Sequence, residues 1–242
     1  MPELAIERGA FPAAPPADTG DPRVIVEHDW GAFASVKRMA NHWDRPGWSD
    51  GRRTYYWLLT FPSSPLLADR AQDCQRQLKH LDMDMIPPDG LHVTMARIGH
   101  TAQVPRATVD RLARMTAELR LEAFSISAHP LAGSRGAVRF SLTPWTPLIR
   151  LHAALTAVGH AAGVPGGKPT AGFRPHLGVG YSNRDQDARP VIDTVAQLRT
   201  LPPVPLEVTA VDLVELRRQG TVYRWDVVTS VPLHTASTKS AD

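Results

Sequence analysis

Cysteine and lysine are both scarce in this chain. The single cysteine, Cys74, excludes a disulfide within the chain and any metal or iron–sulfur site built from several cysteines. Lysine occurs only at positions 37, 79, 168 and 239, so arginine carries nearly all of the positive charge and suits bidentate phosphate contacts. A codon bias toward arginine would give the same composition. The net charge of +3 is too small for a non-specific binder of duplex DNA, and a small phosphorylated ligand or a nucleic-acid end fits better.

Long apolar runs are also missing. The N-terminus carries Glu3, Glu7 and several prolines in place of a basic region and an apolar run, so no secretory signal is predicted. The best candidate for a membrane span, residues 148–164, is interrupted by Arg150, His152 and other polar positions. We therefore expect neither export nor membrane insertion, and the low cysteine content is compatible with a reducing cytoplasm, which is the location we expect.

Changes in composition predict four segments. Residues 1–22 are rich in Ala and Pro and are expected to form a flexible tail. Residues 23–53, which mix tryptophan with arginine, are expected to form an ordered N-terminal extension that packs on the main domain. Residues 54–231 are expected to form one bilobal domain, followed by a second flexible tail over 232–242.

The main domain has a duplicated order of elements. Hydrophobic periodicity predicts helix, strand, helix and hairpin twice, as helices near 66–81, 106–119, 148–162 and 188–198 and strands near 55–61, 91–98, 123–131, 137–142, 174–181, 204–216 and 222–231. Each copy carries a histidine early in its first strand. This order predicts an α+β (mixed α/β) fold, with two pseudo-symmetric lobes of antiparallel-rich sheets flanking a central groove.

The two histidines lie in matching sequence contexts. The first context reads Leu-His-Val-Thr-Met from residue 91, and the second reads Phe-Arg-Pro-His-Leu-Gly from residue 173. Because side chains alternate along a strand, His92 and Thr94 are predicted to share one face, as are His176 and Gly178. Histidine has an ordinary pKa of about 6.5, so one imidazole can remove a proton while another donates one near neutral pH.

These residues resemble the 2H phosphoesterase superfamily, in its 2′-5′ RNA ligase and cyclic phosphodiesterase branch. That family carries two His-x-Thr/Ser-x motifs, the first followed by a hydrophobic residue and Gly, as in Ile98-Gly99, and the second preceded by Phe-x-Pro, as in 173–175. The resemblance covers about residues 54–231. It implies catalytic roles for His92, His176 and Thr94.

The resemblance also implies a reaction and its partners. We expect hydrolysis or reversible formation of a 2′-linked phosphodiester, through a 2′,3′-cyclic phosphate, on RNA ends or a small nucleotide. No metal, cofactor or membrane is expected to take part, and we expect a monomer. A cyclic oligonucleotide or an ADP-ribose derivative is an alternative substrate for the same chemistry.

The second motif departs from the family pattern because position 178 is Gly instead of Thr or Ser. Gly178 offers no hydroxyl, so a phosphate hydrogen bond must come from elsewhere or be lost. Gly178, Tyr181 and Arg174 are candidate substrate-binding residues, although strict alternation directs Tyr181 and Arg174 away from the histidine face. Trp43 and Arg45, in the loop 41–48, are further candidates for stacking a base and binding a phosphate, against the alternative that this loop covers a sheet edge.

The sequence also allows a competing function for the groove. A nucleotide-binding or sensing module that kept the groove and lost turnover competes with the enzyme, and Gly178 is its main support. His152 and His160 lie on one helix, but no third ligand is near them in sequence, so a metal site there is not predicted.

Overall fold

The computed structural model describes residues 2–44, Ser49 and 51–235. Its helices are α1 (Pro22–Ala34), α2 (Pro65–Leu78), α3 (Arg106–Glu118), α4 (Trp145–Ala161) and α5 (Arg189–Leu198). Short 3₁₀ helices cover Lys79–Leu81, Pro88–Gly90 and Thr170–Gly172. The helix α1 was not predicted as a separate element. It begins after Asp21, whose carboxylate accepts hydrogen bonds from the first backbone N–H groups, and Pro22 suits the first turn.

Eleven strands fall within the described residues. They are β1 (Arg38–Met39), β2 (Arg53–Thr60), β3 (Asp84–Met85), β4 (His92–His100), β5 (Phe124–Ser134), β6 (Ala137–Thr143), β7 (His176–Tyr181), β8 (Gln186–Asp187), β9 (Val204–Val208), β10 (Ala210–Gln219) and β11 (Val222–Pro232). The longer ones agree with the predicted strands within a few residues. The predicted strand over 204–216 is divided into β9 and β10, which enter different sheets.

Two antiparallel sheets form the body of the molecule. The first has the order β11-β10-β2-β4 and the second the order β3-β7-β6-β5-β9, while β1 and β8 form a small separate pair. The predicted mixed α/β fold with antiparallel sheets is therefore confirmed. No helix in the described ranges is long and apolar enough to cross a membrane.

The two halves of the chain exchange strands. The hairpin of β5 and β6 follows the first histidine strand, yet it pairs with β7 in the second sheet. The hairpin of β10 and β11 follows the second histidine strand, yet it pairs with β2 in the first sheet. Each lobe is therefore built from both copies of the duplicated order, which the sequence pattern did not predict.

Helices cover the two sheets on separate sides. The helices α2 and α5 pack on the second sheet, and α3 and α4 pack on the first. The helix α1 packs on β5 and β6 through Ile25 and Phe33, both fully buried. A Cβ at Gly133 would lie 2.5 Å from the ring of Phe33, so this close approach requires glycine.

The segment before α1 contacts the body of the domain. The guanidinium of Arg174 donates five hydrogen bonds to backbone carbonyls, which belong to Ala5, Pro12, Ala13, Ala171 and Phe173. Arg139 donates a further one to the carbonyl of Phe11. These contacts contradict the predicted flexible tail over 1–22 for residues 2–21, because buried arginines satisfy carbonyls that the proline-rich segment cannot pair with itself.

The last described residues also pack. Leu233 is buried, and the backbone N–H and C=O of His234 bond to Leu121 and Ala123. The predicted tail over 232–242 is therefore corrected for 232–235. Residues 236–242 lie outside the described part of the chain.

Candidate active site

The two motif histidines have the same hydrogen-bond arrangement. Nδ1 of His92 lies 2.8 Å from the carbonyl oxygen of Gly90, and Nδ1 of His176 lies 2.9 Å from that of Arg174. A carbonyl oxygen only accepts, so Nδ1 carries the hydrogen in both rings. In the neutral form, Nε2 is then the basic nitrogen of each ring, and both side chains are held in one tautomer and orientation.

Similar local structure precedes both histidines. A proline, Pro87 or Pro169, comes directly before a 3₁₀ turn, and the turn is followed by extended backbone that enters the histidine strand. The proline fixes φ in the range that the turn requires and removes a donor that would otherwise need a partner. The chain therefore places the two rings at equivalent points, at the start of β4 and of β7.

The two histidine strands contact each other where the sheets meet. His92 is half-buried, and its ring meets the ring of Trp225 edge-on, with 5.1 Å between the centroids. Burial lowers the pKa of His92, and the hydrogen bond to Gly90 acts in the opposite direction. His176 is more exposed than His92.

Thr94 lies as the alternation predicts. It is exposed two residues after His92, while Val93 and Met95 are buried on the other face. Its hydroxyl therefore lies on the His92 face of the strand, where it can contact a phosphate oxygen.

Gly178 and Tyr181 lie close together, which strict alternation did not predict. Val138 pairs with Gly180 and Arg139 pairs with Gly178, so Val179 is an extra residue in β7. Such a bulge changes the direction of the following side chains. The hydroxyl oxygen of Tyr181 lies 3.8 Å from the position that a Cβ on Gly178 would take. Tyr181 therefore returns to the Gly178 side of the strand.

An aromatic cluster adjoins this point. It consists of His42, Trp43, Tyr181 and Tyr223, and every pair of its ring centroids lies between 3.9 and 5.7 Å apart. Tyr181 and Tyr223 also line a small cleft together with Ile86 and Gly90. Because Gly90 orients His92, the cleft joins the aromatic cluster to the first histidine motif.

Trp43 is buried within the aromatic cluster. Its indole N–H donates a 2.7 Å hydrogen bond to a carboxylate oxygen of Asp84, and the guanidinium of Arg218 lies 4.8 Å from the ring centroid. These contacts support the alternative interpretation, in which the loop covers a sheet edge, because Asp84 lies in β3, the edge strand of the second sheet. Arg45, the other candidate in this loop, lies outside the described residues.

Comparison with known proteins identifies the family. The model of the 2′-5′ RNA ligase superfamily matches residues 62–220. The chain belongs to this superfamily. No curated protein matches the chain in sequence.

Solved structures show the same fold. Apo LigT from E. coli aligns with a TM-score of 0.57 at 17% identity, over 77% of this chain and 100% of LigT. The complex of E. coli LigT with 3′-AMP gives 0.54 at 16% identity, over 77% and 100% of the two chains. TT0787 of Thermus thermophilus gives 0.56 at 16% identity, over 76% and 99%.

The N-terminal part lies outside the superfamily match, which begins at residue 62. Both α1 and the His42–Trp43 dipeptide precede that point, as does the strand β2. His42 and Tyr223 were missed as site residues from sequence. The sequence signals available were the loop 41–48 for His42, and the alternation of Tyr223 with Trp225 along one strand for Tyr223.

The side chain of Arg174, which was predicted to bind substrate, contacts the N-terminal segment instead. Its side chain is buried, and its guanidinium bonds to carbonyls of the N-terminal segment and of its own loop. Burial lowers the pKa of Arg174, and the charges of Glu7 and Asp29 oppose this. The guanidinium of Arg174 is therefore occupied by these backbone carbonyls. Its backbone carbonyl still orients His176.

His152 supports the segment before the second motif. Its ring stacks on Phe173 with 4.2 Å between centroids, and its Nδ1 lies 2.9 Å from the hydroxyl of Thr170. Within 2–44, Ser49 and 51–235, no group of three or more histidine, cysteine or acidic side chains is placed to hold a metal ion. His152 is thus a packing residue of α4.

Stability is expected to fall in acid because of His152. Burial lowers the pKa of His152 to about 4, whereas an unfolded histidine titrates near pH 6.5. Between these two values the unfolded state binds the extra proton, so the free energy of unfolding falls by about 3 kcal/mol from pH 7 to pH 4. Urea unfolding at both pH values should show a smaller fall for His152→Gln than for the wild type. An equal fall in the two proteins would contradict this role.

Proposed function

We propose that the protein is a metal-independent phosphoesterase that acts on a 2′,3′-cyclic phosphate or a 2′-5′ phosphodiester by two-histidine acid/base catalysis. The observation that carries the proposal is the matched pair of Nδ1 hydrogen bonds, which hold His92 and His176 in the same tautomer on two contacting strands. A pair of histidines kept only for packing has no need of identical orientation.

The chemistry follows from the two rings. A neutral histidine takes a proton from the attacking water through Nε2 while the other, protonated, gives one to the departing ribose oxygen. We assign the base to His92 in hydrolysis, because burial lowers its pKa and keeps it neutral at pH 7. Thr94 holds a non-bridging phosphate oxygen. If a 5′-hydroxyl replaces the water, its oxygen bonds to phosphorus, its proton passes to the base, and the P–O bond to the 3′-oxygen breaks as the acid protonates that oxygen, which is 2′-5′ ligation.

A nucleotide is the substrate class that the relatives support. Structures of E. coli LigT have been solved with ATP and with 3′-AMP. We infer that residues 54–231 form the catalytic domain of this chain and that the 23–53 extension packs beside its groove. The substrates in this proposal are RNA ends or small cyclic nucleotides. The protein binds them as a monomer.

A nucleotide-sensing module is the second candidate. Gly178 favours it, because the second motif lacks the hydroxyl that the family uses. Such a module would bind adenosine phosphates tightly and release no product.

The proposal is tested by incubating the full chain with adenosine 2′,3′-cyclic phosphate, with and without EDTA, and following products by ³¹P NMR. We expect adenosine monophosphate to form at the same rate in both samples, because His92 and His176 need no metal to move protons. Loss of activity in EDTA that added metal restores would contradict the mechanism. Binding without product would favour the sensing module.

A further inference from the structure

Position 178 has no room for a side chain unless Ile86 moves. A Cβ on Gly178 would lie 2.7 Å from Cδ1 of Ile86, which is closer than such atoms pack. Ile86 is itself buried, at 4% exposure. The hydroxyl that the second motif lacks has therefore been replaced in space by an apolar group, and a different residue must supply a donor at this end of the groove.

The bulge at Val179 brings one such donor to the same place. We propose that the Tyr181 hydroxyl supplies the phosphate hydrogen bond that Gly178 cannot, and that His42 of the N-terminal extension holds Tyr181 there. This rests on the proposed function. The Tyr181 hydroxyl lies 3.8 Å from the missing Cβ position, so it is a few ångströms from where a Ser or Thr hydroxyl would be. A hydroxyl at either position can donate to the same phosphate oxygen.

Tyr181 is connected to both histidine motifs through Gly90 and the strand β7. It lines the cleft shared with Gly90, whose carbonyl orients His92. It belongs to the strand β7 that begins with His176. A phosphate between the two imidazoles would therefore have Thr94 from the first motif and Tyr181 from the second.

The extension fixes the ring of Tyr181. His42 stacks on it with 3.9 Å between centroids and 22° between ring planes, and Trp43 meets it edge-on. His42 is itself held, because its Nε2 lies 2.9 Å from the Tyr223 hydroxyl and its backbone N–H donates to the carbonyl of Ser182. A donor fixed before the substrate arrives stabilises developing charge without a cost of reorganisation.

Removal of this one hydroxyl should slow the reaction. We expect Tyr181→Phe to lower kcat on adenosine 2′,3′-cyclic phosphate by about 10- to 100-fold with little change in KM, because the bond strengthens as charge builds on the phosphate. The matched control is Tyr55→Phe, at a tyrosine with the same 7% exposure in the far part of β2. Tyr55→Phe should keep wild-type rates, and thermal melts should show both variants folded.

Rescue separates a phosphate contact from a packing effect. Ile86→Val removes the atom that blocks position 178, so Gly178→Ser then returns a hydroxyl to the second motif. In the Tyr181→Phe background these two changes together should recover about tenfold in kcat.

His42 is a positioning residue, so its effect on kcat should depend on the Tyr181 hydroxyl. His42→Leu should therefore lower kcat in the wild type and have little further effect in Tyr181→Phe.

Phosphorothioate substrates give a readout that packing would not change. If Thr94 and Tyr181 contact different non-bridging oxygens, the two diastereomers of the cyclic phosphorothioate should respond in opposite ways to Thr94→Val and to Tyr181→Phe. An unchanged diastereomer preference in Tyr181→Phe would overturn the assignment.

Failure of this assignment differs from failure of the proposed function. If the wild type hydrolyses the cyclic phosphate and Tyr181→Phe is equally fast, the phosphate contact assigned to Tyr181 is wrong and the two-histidine mechanism stands. If the wild type shows no turnover, the proposed function fails, and calorimetric binding of adenosine 2′-monophosphate decides about Tyr181. A dissociation constant about tenfold weaker in Tyr181→Phe would support the phosphate contact, and an unchanged one, or no binding by the wild type, would overturn it.

Discussion

Replacing either His92 or His176 with alanine is expected to lower kcat on a 2′,3′-cyclic phosphate by about 10²- to 10⁴-fold. Each ring carries one half of the proton transfer, and a backbone carbonyl accepts the hydrogen bond from its Nδ1. Water can replace a missing imidazole only at a much lower rate. The measurement is the initial rate of product formation at saturating substrate, with KM determined separately.

The matched control for His92 is His100→Ala. His100 lies at the far end of the same strand, paired with Thr54, so its loss should leave kcat within a factor of about two. Because the two catalytic rings act as a unit, the double variant should be little slower than the slower single variant. Wild-type rates in either single variant would overturn the mechanism, and a multiplicative double effect would show that the rings act independently.

The second large effect is on stability, at Arg174. Arg174→Leu is expected to lower the free energy of unfolding by about 3 kcal/mol or more, because several carbonyls that now accept its hydrogen bonds would be left buried without a donor. Those carbonyls include Ala5, Pro12 and Ala13. The segment 2–16 should then gain faster amide hydrogen exchange, while the core strands exchange as before under native conditions. Denaturant unfolding and exchange followed by mass spectrometry measure both effects.

Arg189→Leu is the control for charge removal. The Arg189 side chain is 76% exposed and pairs with Asp193 one helical turn away, and such surface pairs contribute about 0.3–0.5 kcal/mol. If Arg174→Leu were no more destabilising than Arg189→Leu, the contacts of Arg174 with the N-terminal segment would not be the ones that hold it in place.

Local sequence signals predicted most of the elements. These signals are the alternation around His92 and Thr94, the apolar spacing within α3, and prolines such as Pro62 after β2. Each acts over a few residues, so it predicts the local structure whatever the long-range contacts are. The same holds for the two motif histidines, since the prolines and turns before them are encoded next to them. The two-residue strands β1, β3 and β8 are too short to leave a periodic signal.

Long-range partners account for what the sequence did not predict. The exchange of hairpins between the sheets depends on which strand edges meet, which no local pattern encodes. The bulge at Val179 arises from pairing with β6, so strict alternation directed Tyr181 to the wrong side. Arg174 looked like a phosphate ligand because it adjoins His176, while its actual partners lie more than 160 positions earlier in the chain.

The exchange of hairpins has a consequence for the order of synthesis. When β4 has left the ribosome, the sheet that carries His92 consists only of β2 and β4, and β2 has an open edge until β10 pairs with it. Translation of the intervening residues takes on the order of ten seconds. During that time an unpaired strand edge can join another nascent chain. The first sheet is therefore complete only once the final hairpin, Ala210–Pro232, has emerged and β10 has paired with β2.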